Sequence, residues 1–325
     1  MVNSDARHCP VELRRLPAPD RTEAVFALYR ELFGEREVQT VDAIVAGREL
    51  KFSRDWIACV NLGNGALGGS VMGSQSLECP QLGAMNGVGV RAEARGRKIA
   101  ERCCRSILEM LDNSGVRAVF LATGNPVAAR LYGKLGFSFL PGSHVMLRCG
   151  QAGDDAYAFF RDLYPGGSTG EVRPGDASCR LMMPPLMIEC RMTALDPLVS
   201  LHGRPVALVS CQGLFPRYED LVRRGGEWFQ LRGANRALVA LGTVLPESEA
   251  KTWINVIAHP NYPEAEEKMW RFLLEYCRER RRTPRIPVPK ELRTRREFLG
   301  GVGLSCRGKH LFQNGMCQIE YCLYG

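Results

Sequence analysis

The stretch from Val116 to Phe137 constrains this chain most. Val116 to Ala122 is a near-continuous apolar run, the pattern of a strand buried on both faces. Asn125-Pro-Val-Ala-Ala-Arg-Leu-Tyr-Gly-Lys-Leu-Gly-Phe137 follows and predicts a helix from about Pro126 to Leu135. Gly136 suits the helix C-terminal cap, and Phe137 opens the next strand. A strand buried on both faces and flanked by helices requires an α/β layout with a mixed sheet.

The elements around it fit that layout. Val11 to Leu16 reads as a short strand. Arg21 to Phe33 has helical spacing at Val25, Leu28, Tyr29 and Leu32, and Val41 to Leu50 reads as a second helix. Trp56 to Leu62 and Ala66 to Ser74 read as strands about Gly63-Asn64-Gly65, a hairpin signal. Leu82 to Val90 is a further strand. Arg97 to Asn113 is a helix with Ile99, Cys103, Ile107, Leu108 and Leu111 on one face. Phe137 to Leu140 and Val145 to Cys149 close the first half.

Residues 151–177 read as a linker holding a short helix, Ala156 to Leu163. From Ser178 to Ala258 the chain reads as strand-rich. A helix (Glu264 to Arg282), a strand (Arg285 to Val288), a helix (Glu291 to Leu299) and a hairpin follow. A shift of 167 residues places Val90 on Ile257 and the helix after Arg97 on the helix after Glu264. It also places Leu131-Tyr-Gly-Lys-Leu-Gly-Phe137 on Phe298-Leu-Gly-Gly-Val-Gly-Leu304. The chain therefore reads as two copies of one fold, residues 1–150 and 178–325.

The 325 residues suit two domains. No apolar run reaches the roughly 18–20 residues of a membrane span. Met1 to Leu16 has no apolar signal core, so a soluble cytoplasmic protein is expected. The thirteen cysteines form no C-x-x-C pair or zinc spacing and are expected to be reduced and mostly buried, with no metal. The net charge of +8 is shared evenly: 19 Lys and Arg stand against 15 Asp and Glu in residues 1–150, and 24 against 20 beyond. The cluster Arg278 to Arg282 with Arg285 suits a helix end, and no nucleic-acid reading motif accompanies it. A mildly basic surface fits an anionic cofactor.

The chemistry is concentrated in two places. Val88-Gly-Val90 ends a strand, a basic loop with Arg95, Gly96, Arg97 and Lys98 follows, and a helix opens at Ile99-Ala100. Such a turn offers backbone N–H groups and a favourable dipole to a pyrophosphate. It resembles the phosphate loop of the GCN5-related N-acetyltransferase (GNAT) family, Gln/Arg-x-x-Gly-x-Gly/Ala. Arg95 and Ala100 match, and Lys98 stands where the pattern has its first Gly. Asn125, Ala128 or Ala129, Leu131-Tyr132 and Gly136-Phe137 resemble that family's second motif.

The resemblance implies tandem acyl-CoA N-acyltransferase domains, each a mixed twisted sheet flanked by helices. It implies acetyl-CoA held by Val88 to Val90, Arg95 to Ala100, Asn125 and Tyr132. A backbone N–H near Val88 to Val90 would stabilise the oxyanion, and Tyr132 would be the general acid. The acceptor would be an amine of a small molecule or peptide, and the protein a monomer or homodimer. No base is legible: the strand Leu82 to Val90 has no carboxylate, and Glu93, Glu35 and Glu37 read as surface charges.

In the second half Ile257-Ala-His-Pro-Asn-Tyr-Pro-Glu264 replaces the basic loop and Leu299 replaces Tyr132, so no CoA binding is expected there. His259 reads as a turn residue, with a functional base as its alternative. Leu62 to Gly69 lacks the Gly-Lys-Ser/Thr of a phosphate loop. Gly68-Gly-Ser70-Val-Met72 lacks the last Gly of a nucleophile elbow. A non-catalytic acetyl-CoA-binding or scaffold protein is the alternative class. A thiol-linked substrate is a third, suggested by the cysteine count alone.

Overall fold

The computed structural model describes residues 9–62, 65–150, 155–190, 195–202, 213–289, 293–314 and 317–324. The chain divides into two compact units, with the division between Phe159 and Phe160.

The first unit runs β1 (Glu12–Arg15), α1 (Thr22–Phe33), α2 (Glu35–Val45), β2 (Ser53–Asn61), β3 (Leu67–Ser76), β4 (Leu82–Val90), α3 (Ile99–Asn113), β5 (Ala118–Ala122), α4 (Pro126–Lys134), β6 (Ser138–Phe139), β7 (Val145–Cys149), and then α5 (Ala156–Leu163), which spans the division. Its seven strands lie in the order β1-β2-β3-β4-β5-β7-β6. Only β4 and β5 are parallel neighbours.

Two apolar layers cover the sheet. On one face Ile99, Cys103, Cys104, Ile107 and Leu111 of α3 pack with Val71, Met85 and Val119 and with Tyr132 and Leu135 of the α4 region. On the other, Val25, Leu28 and Tyr29 of α1 and Val41, Ile44 and Val45 of α2 pack on Ile57, Cys59, Leu67 and Met72. Gly73 lets α3 approach, because a Cβ there would lie 2.4 Å from Ile107.

The second helix departs from expectation. It covers Glu35–Val45, starting six residues before Val41 and stopping short of Leu50. Gly34, at φ 86°, ends α1 and opens α2 without an intervening loop. Of the hairpin signal, Gly63 and Asn64 lie outside the described residues; β2 and β3 pair antiparallel on either side of it.

The second unit runs β8 (Arg173–Pro174), α6 (Met183–Cys190), β9 (Leu195–Asp196), β10 (Leu201–His202), α7 (Phe215–Arg223), β11 (Glu227–Arg232), β12 (Leu238–Pro246), β13 (Lys251–Ala258), α8 (Pro263–Glu279), β14 (Thr283–Pro289), α9 (Arg293–Gly301), β15 (Cys306–Asn314) and β16 (Cys317–Tyr324). β8 falls within the stretch whose composition reads as a linker. The sheet order is β8-β11-β12-β13-β14-β16-β15, with β13 and β14 the parallel pair. Strand for strand this is the order and direction of the first sheet, so the fold occurs in tandem.

Gly242 plays the part of Gly73: a Cβ there would lie 2.7 Å from Met269 of α8. Both helix stops repeat as well. Gly136 donates to Gly133 O and Phe137 to Tyr132 O; Gly303 donates to Gly300 O and Leu304 to Leu299 O.

The stretch from Ser178 to Ala258 carries the strands β9 to β13, and two helices that its sequence did not announce, α6 and α7, interrupt them. Met183 to Cys190 is apolar almost throughout and all but Glu189 are buried, so it has neither strand alternation nor a helical stripe to betray its type. Cys190 therefore sits in a helix, and Cys211 lies outside the described residues. Seven of the ten cysteines described as free thiols are buried, and Cys306 is exposed.

Candidate acyl-transfer site

The first site element is a parting of strands. β4 and β5 pair at Leu82–Ala118, Gly83–Val119 and Ala84–Phe120, and there pairing stops. β4 continues to Val90 against β3 alone, so its backbone groups on the β5 side have no strand partner. β4 also bulges between its pairings Met72–Asn86 and Ser70–Gly89, with Gly87 at φ 58°. Gly87 and Gly89 are fixed by α1. A Cβ at Gly87 would lie 2.0 Å from the Tyr29 hydroxyl, and one at Gly89 would lie 2.5 Å from Leu32. Val88, Gly89 and Val90 thus line the open half of β4, and Val88 and Val90 pack against the α3–α4 apolar layer.

The loop from Arg91 to Lys98 joins this strand to α3. Arg95 is extended, Gly96 has φ 77° and Lys98 has φ 55°. Open space surrounds the missing Cβ of Gly96, so its backbone angle alone demands glycine. Lys98, which stands where the resembled pattern has its first Gly, adopts a left-handed backbone. Among the described residues, the N–H groups of Gly96, Arg97, Lys98, Ile99 and Ala100 find no hydrogen-bond acceptor. They sit at the start of a 15-residue helix with Arg95 and Lys98 exposed beside them. Ile99 is buried and anchors the turn in the core.

Asn125 caps α4. Its Oδ1 accepts from Val127 N at 2.9 Å and Ala128 N at 3.4 Å, and its own N–H donates to Thr123 Oγ1 at 3.1 Å. The side chain is exposed, so Oδ1 is committed to the helix while Nδ2 remains available. Sequence reasoning missed this capping role, although Asn before Pro at a helix start is its signature.

Tyr132 lies on the buried side of α4, 6% exposed, with its ring 6.1 Å from that of Phe137. Burial pushes its phenol well above the ordinary tyrosine range, with the nearby Cys104 thiol adding to the effect. The hydroxyl therefore keeps its proton across physiological pH. Burial likewise pushes the Cys103 and Cys104 thiols up to about 12, which makes them poor nucleophiles.

The candidate carboxylates are elsewhere. Glu93 is exposed in the loop, Glu35 pairs with Arg30 at 2.7 Å, and the Glu37 side chain lies outside the described residues. No group of His, Cys, Asp and Glu with metal-site geometry occurs among the described residues, and no helix among them is long and apolar enough to cross a membrane.

The corresponding place in the second unit is closed chemically. Pairing of β13 with β14 also stops after three pairs, at Trp253–Arg285. Beyond it Ile254 to His259 is buried throughout. The turn consumes most of its own donors: Asn261 N donates to His259 Nδ1, Tyr262 N to His259 O, and Ala265 N to Tyr262 O, while Pro260 and Pro263 have none. His259 is a turn residue, 2% exposed and stacked 4.0 Å from Tyr164. Glu264 and Glu266 put negative charge in the first turn of α8, and Arg295 of α9 donates to Glu266 at 2.8 Å. Leu299, at the place of Tyr132, is fully buried.

Residues 22–137 match the sequence model of the Acetyltransferase (GNAT) family. The first unit therefore carries a GNAT acetyltransferase domain. No curated protein matches the chain. Among solved structures, the chain is similar to the GNAT family N-acetyltransferase YhbS of Escherichia coli in complex with CoA, with 23% identity over 44% of this chain and 83% of that one, TM-score 0.35. It is similar to the ribosomal-protein-S5-alanine acetyltransferase of Vibrio fischeri, with 11% identity over 49% and 95%, TM-score 0.39. A GCN5-related N-acetyltransferase of Kribbella flavida spans more of this chain, 77% against 59% of its own, with 14% identity and TM-score 0.35.

Proposed function

We propose that the first unit transfers an acetyl group from acetyl-CoA to an amine of a small molecule or a peptide. The observation that carries this reading is the row of unpartnered N–H groups from Gly96 to Ala100, placed where β4 has parted from β5. Five donors at a helix start, flanked by Arg95, Arg97 and Lys98, suit a pyrophosphate. The open side of β4 from Met85 to Val90 suits the amides of an extended pantetheine arm, and Asn125 Nδ2 is free to meet that arm. A backbone N–H near Val88 to Val90 would stabilise the charge that develops on the carbonyl oxygen. Tyr132, protonated by virtue of its burial, donates to the departing sulfur. The second unit, with most of the turn's donors consumed and its first helical turn acidic, shapes the substrate or supports the fold and binds no CoA.

The test has two parts. CoA should raise the melting temperature of the full chain; no shift rejects the cofactor reading. Thiol release from acetyl-CoA across an amine panel should fall about 100-fold or more in Tyr132→Phe while the CoA-induced shift remains. Full turnover in that variant removes Tyr132 as the acid. A CoA shift without turnover on any amine supports the non-catalytic acetyl-CoA-binding reading.

A further inference from the structure

The face of the first sheet opposite Tyr132 holds polar groups that the proposed mechanism leaves unused. Ser70 Oγ and both side-chain polar atoms of Asn86 are buried without a hydrogen-bond partner. The two residues are neighbours. Asn86 lies opposite Met72 and Ser70 opposite Gly89, on either side of the β4 bulge. Met72, and Cys59 across from Ser70, belong to the layer under α1 and α2, so Ser70 and Asn86 share that face. Tyr29 hangs over the bulge between them and donates to Gly87 O at 3.3 Å.

A hydroxyl and an amide set diagonally on adjacent strands stand about 7 Å apart at Cβ. At that spacing a single water can reach both side chains. Buried polar groups without a protein partner are the usual hosts of an ordered water, which makes about three hydrogen bonds to them. The bulge above is part of the strand that the acetyl-transfer reading assigns to the thioester, and that strand has no carboxylate.

We propose that Ser70 and Asn86 hold an ordered water beneath the β4 bulge, and that this water takes the proton of the attacking amine. The inference rests on the acetyl-transfer reading. The amine's lone pair forms the C–N bond and the C–S pair leaves with sulfur. Sulfur takes a proton from Tyr132, the nitrogen's proton passes through the water to solvent, and Tyr132 recovers its own from solvent. Ser70 and Asn86 are positioning residues, and a hydrogen-bonded water does the work that a strand carboxylate would otherwise do.

The test uses the full chain, acetyl-CoA and hydroxylamine as a small amine, with acetohydroxamate measured above the uncatalysed rate. A crystal structure that resolves waters should show one within hydrogen-bond distance of Ser70 Oγ and the Asn86 amide. Asn86→Leu, close in volume, should lose it and lower kcat tenfold or more, with the KM for acetyl-CoA and the CoA-induced melting shift unchanged. Asn86→Ser, which restores a hydroxyl, should stay within threefold of the parent. A purely structural role would rank the two variants the other way, since the serine leaves the larger gap. Ser70→Ala serves if the leucine variant does not fold. Empty density at the site, full kcat in Asn86→Leu, or no catalysed hydroxylamine reaction in a parent that binds CoA overturns the proposal. Absence of any CoA shift instead rejects the acetyl-CoA reading beneath it.

Discussion

Gly136 and Gly303 end corresponding helices 167 residues apart with almost the same left-handed backbone, φ 88° and 85°. Each donates to the carbonyl three residues earlier, and the residue after each closes a bond back over five residues. The duplicated framework thus repeats at single hydrogen bonds. The chemistry does not, since Leu299 stands where Tyr132 does.

Asn125 combines a structural and a proposed binding duty, and substitution can separate them. Asn125→Ala should cost about 1 kcal/mol of stability through loss of the cap and should also reduce the CoA-induced melting shift. Asn125→Ser keeps a capping oxygen, so it should restore most of the stability while leaving the shift reduced. Chemical denaturation with and without CoA measures both. A serine variant with the parent's CoA response would show that the amide does not meet the cofactor.

Lys98 holds a left-handed backbone without glycine's freedom. Lys98→Gly should stabilise the first unit by about 1 kcal/mol. The N–H donors of the loop are unchanged by the substitution, so CoA affinity should fall by less than tenfold, through the lost charge alone. Urea denaturation and calorimetric titration check the two effects, and a loss of stability would contradict the strain argument.

Gly73 and Gly242 do the same job beneath different neighbours. Gly73→Ala meets the branched Ile107 at 2.4 Å and should cost about 2–3 kcal/mol. Gly242→Ala meets the sulfur of flexible Met269 at 2.7 Å and should cost about 1 kcal/mol. Equal losses would show that the two helices do not depend on their neighbours' stiffness.

Asp196 is buried, accepts from Leu198 N at 3.0 Å and Thr243 Oγ1 at 2.7 Å, and is pushed up to about 6 by desolvation. The folded state therefore holds its proton more tightly than the unfolded chain does. The second unit should be most stable below pH 4 with respect to this group and should lose about 3 kcal/mol as pH rises through 6. Three of the four tryptophans, at 228, 253 and 270, lie in that unit, so fluorescence-detected unfolding reports it. Asp196→Asn should flatten the dependence between pH 4 and 6.

Much of the first unit was legible because its signals are local. The strand β4 over Leu82–Val90 and α3 with its apolar stripe follow from periodicity. The start of α2 was not legible, since nothing in the sequence shows that Gly34 turns the chain without breaking it into a loop. α6 was hidden because a helix buried on every side has no polar face to mark its period. Of the site, the basic loop and the Tyr132 helix were visible as patterns. The parting of β4 from β5, and the partnerless atoms of Ser70 and Asn86, depend on pairing between distant strands, which no local pattern encodes.

The glycines beneath α3 and α8 bring each helix almost onto the backbone of its sheet. Such close packing leaves little room for water. The slowest amide hydrogen exchange in the protein should therefore fall in two separate blocks, β3 with α3 and β12 with α8, each opening with its own free energy. A fold that occurs twice would then show two slow-exchanging cores, only one of which lies beside the proposed chemistry.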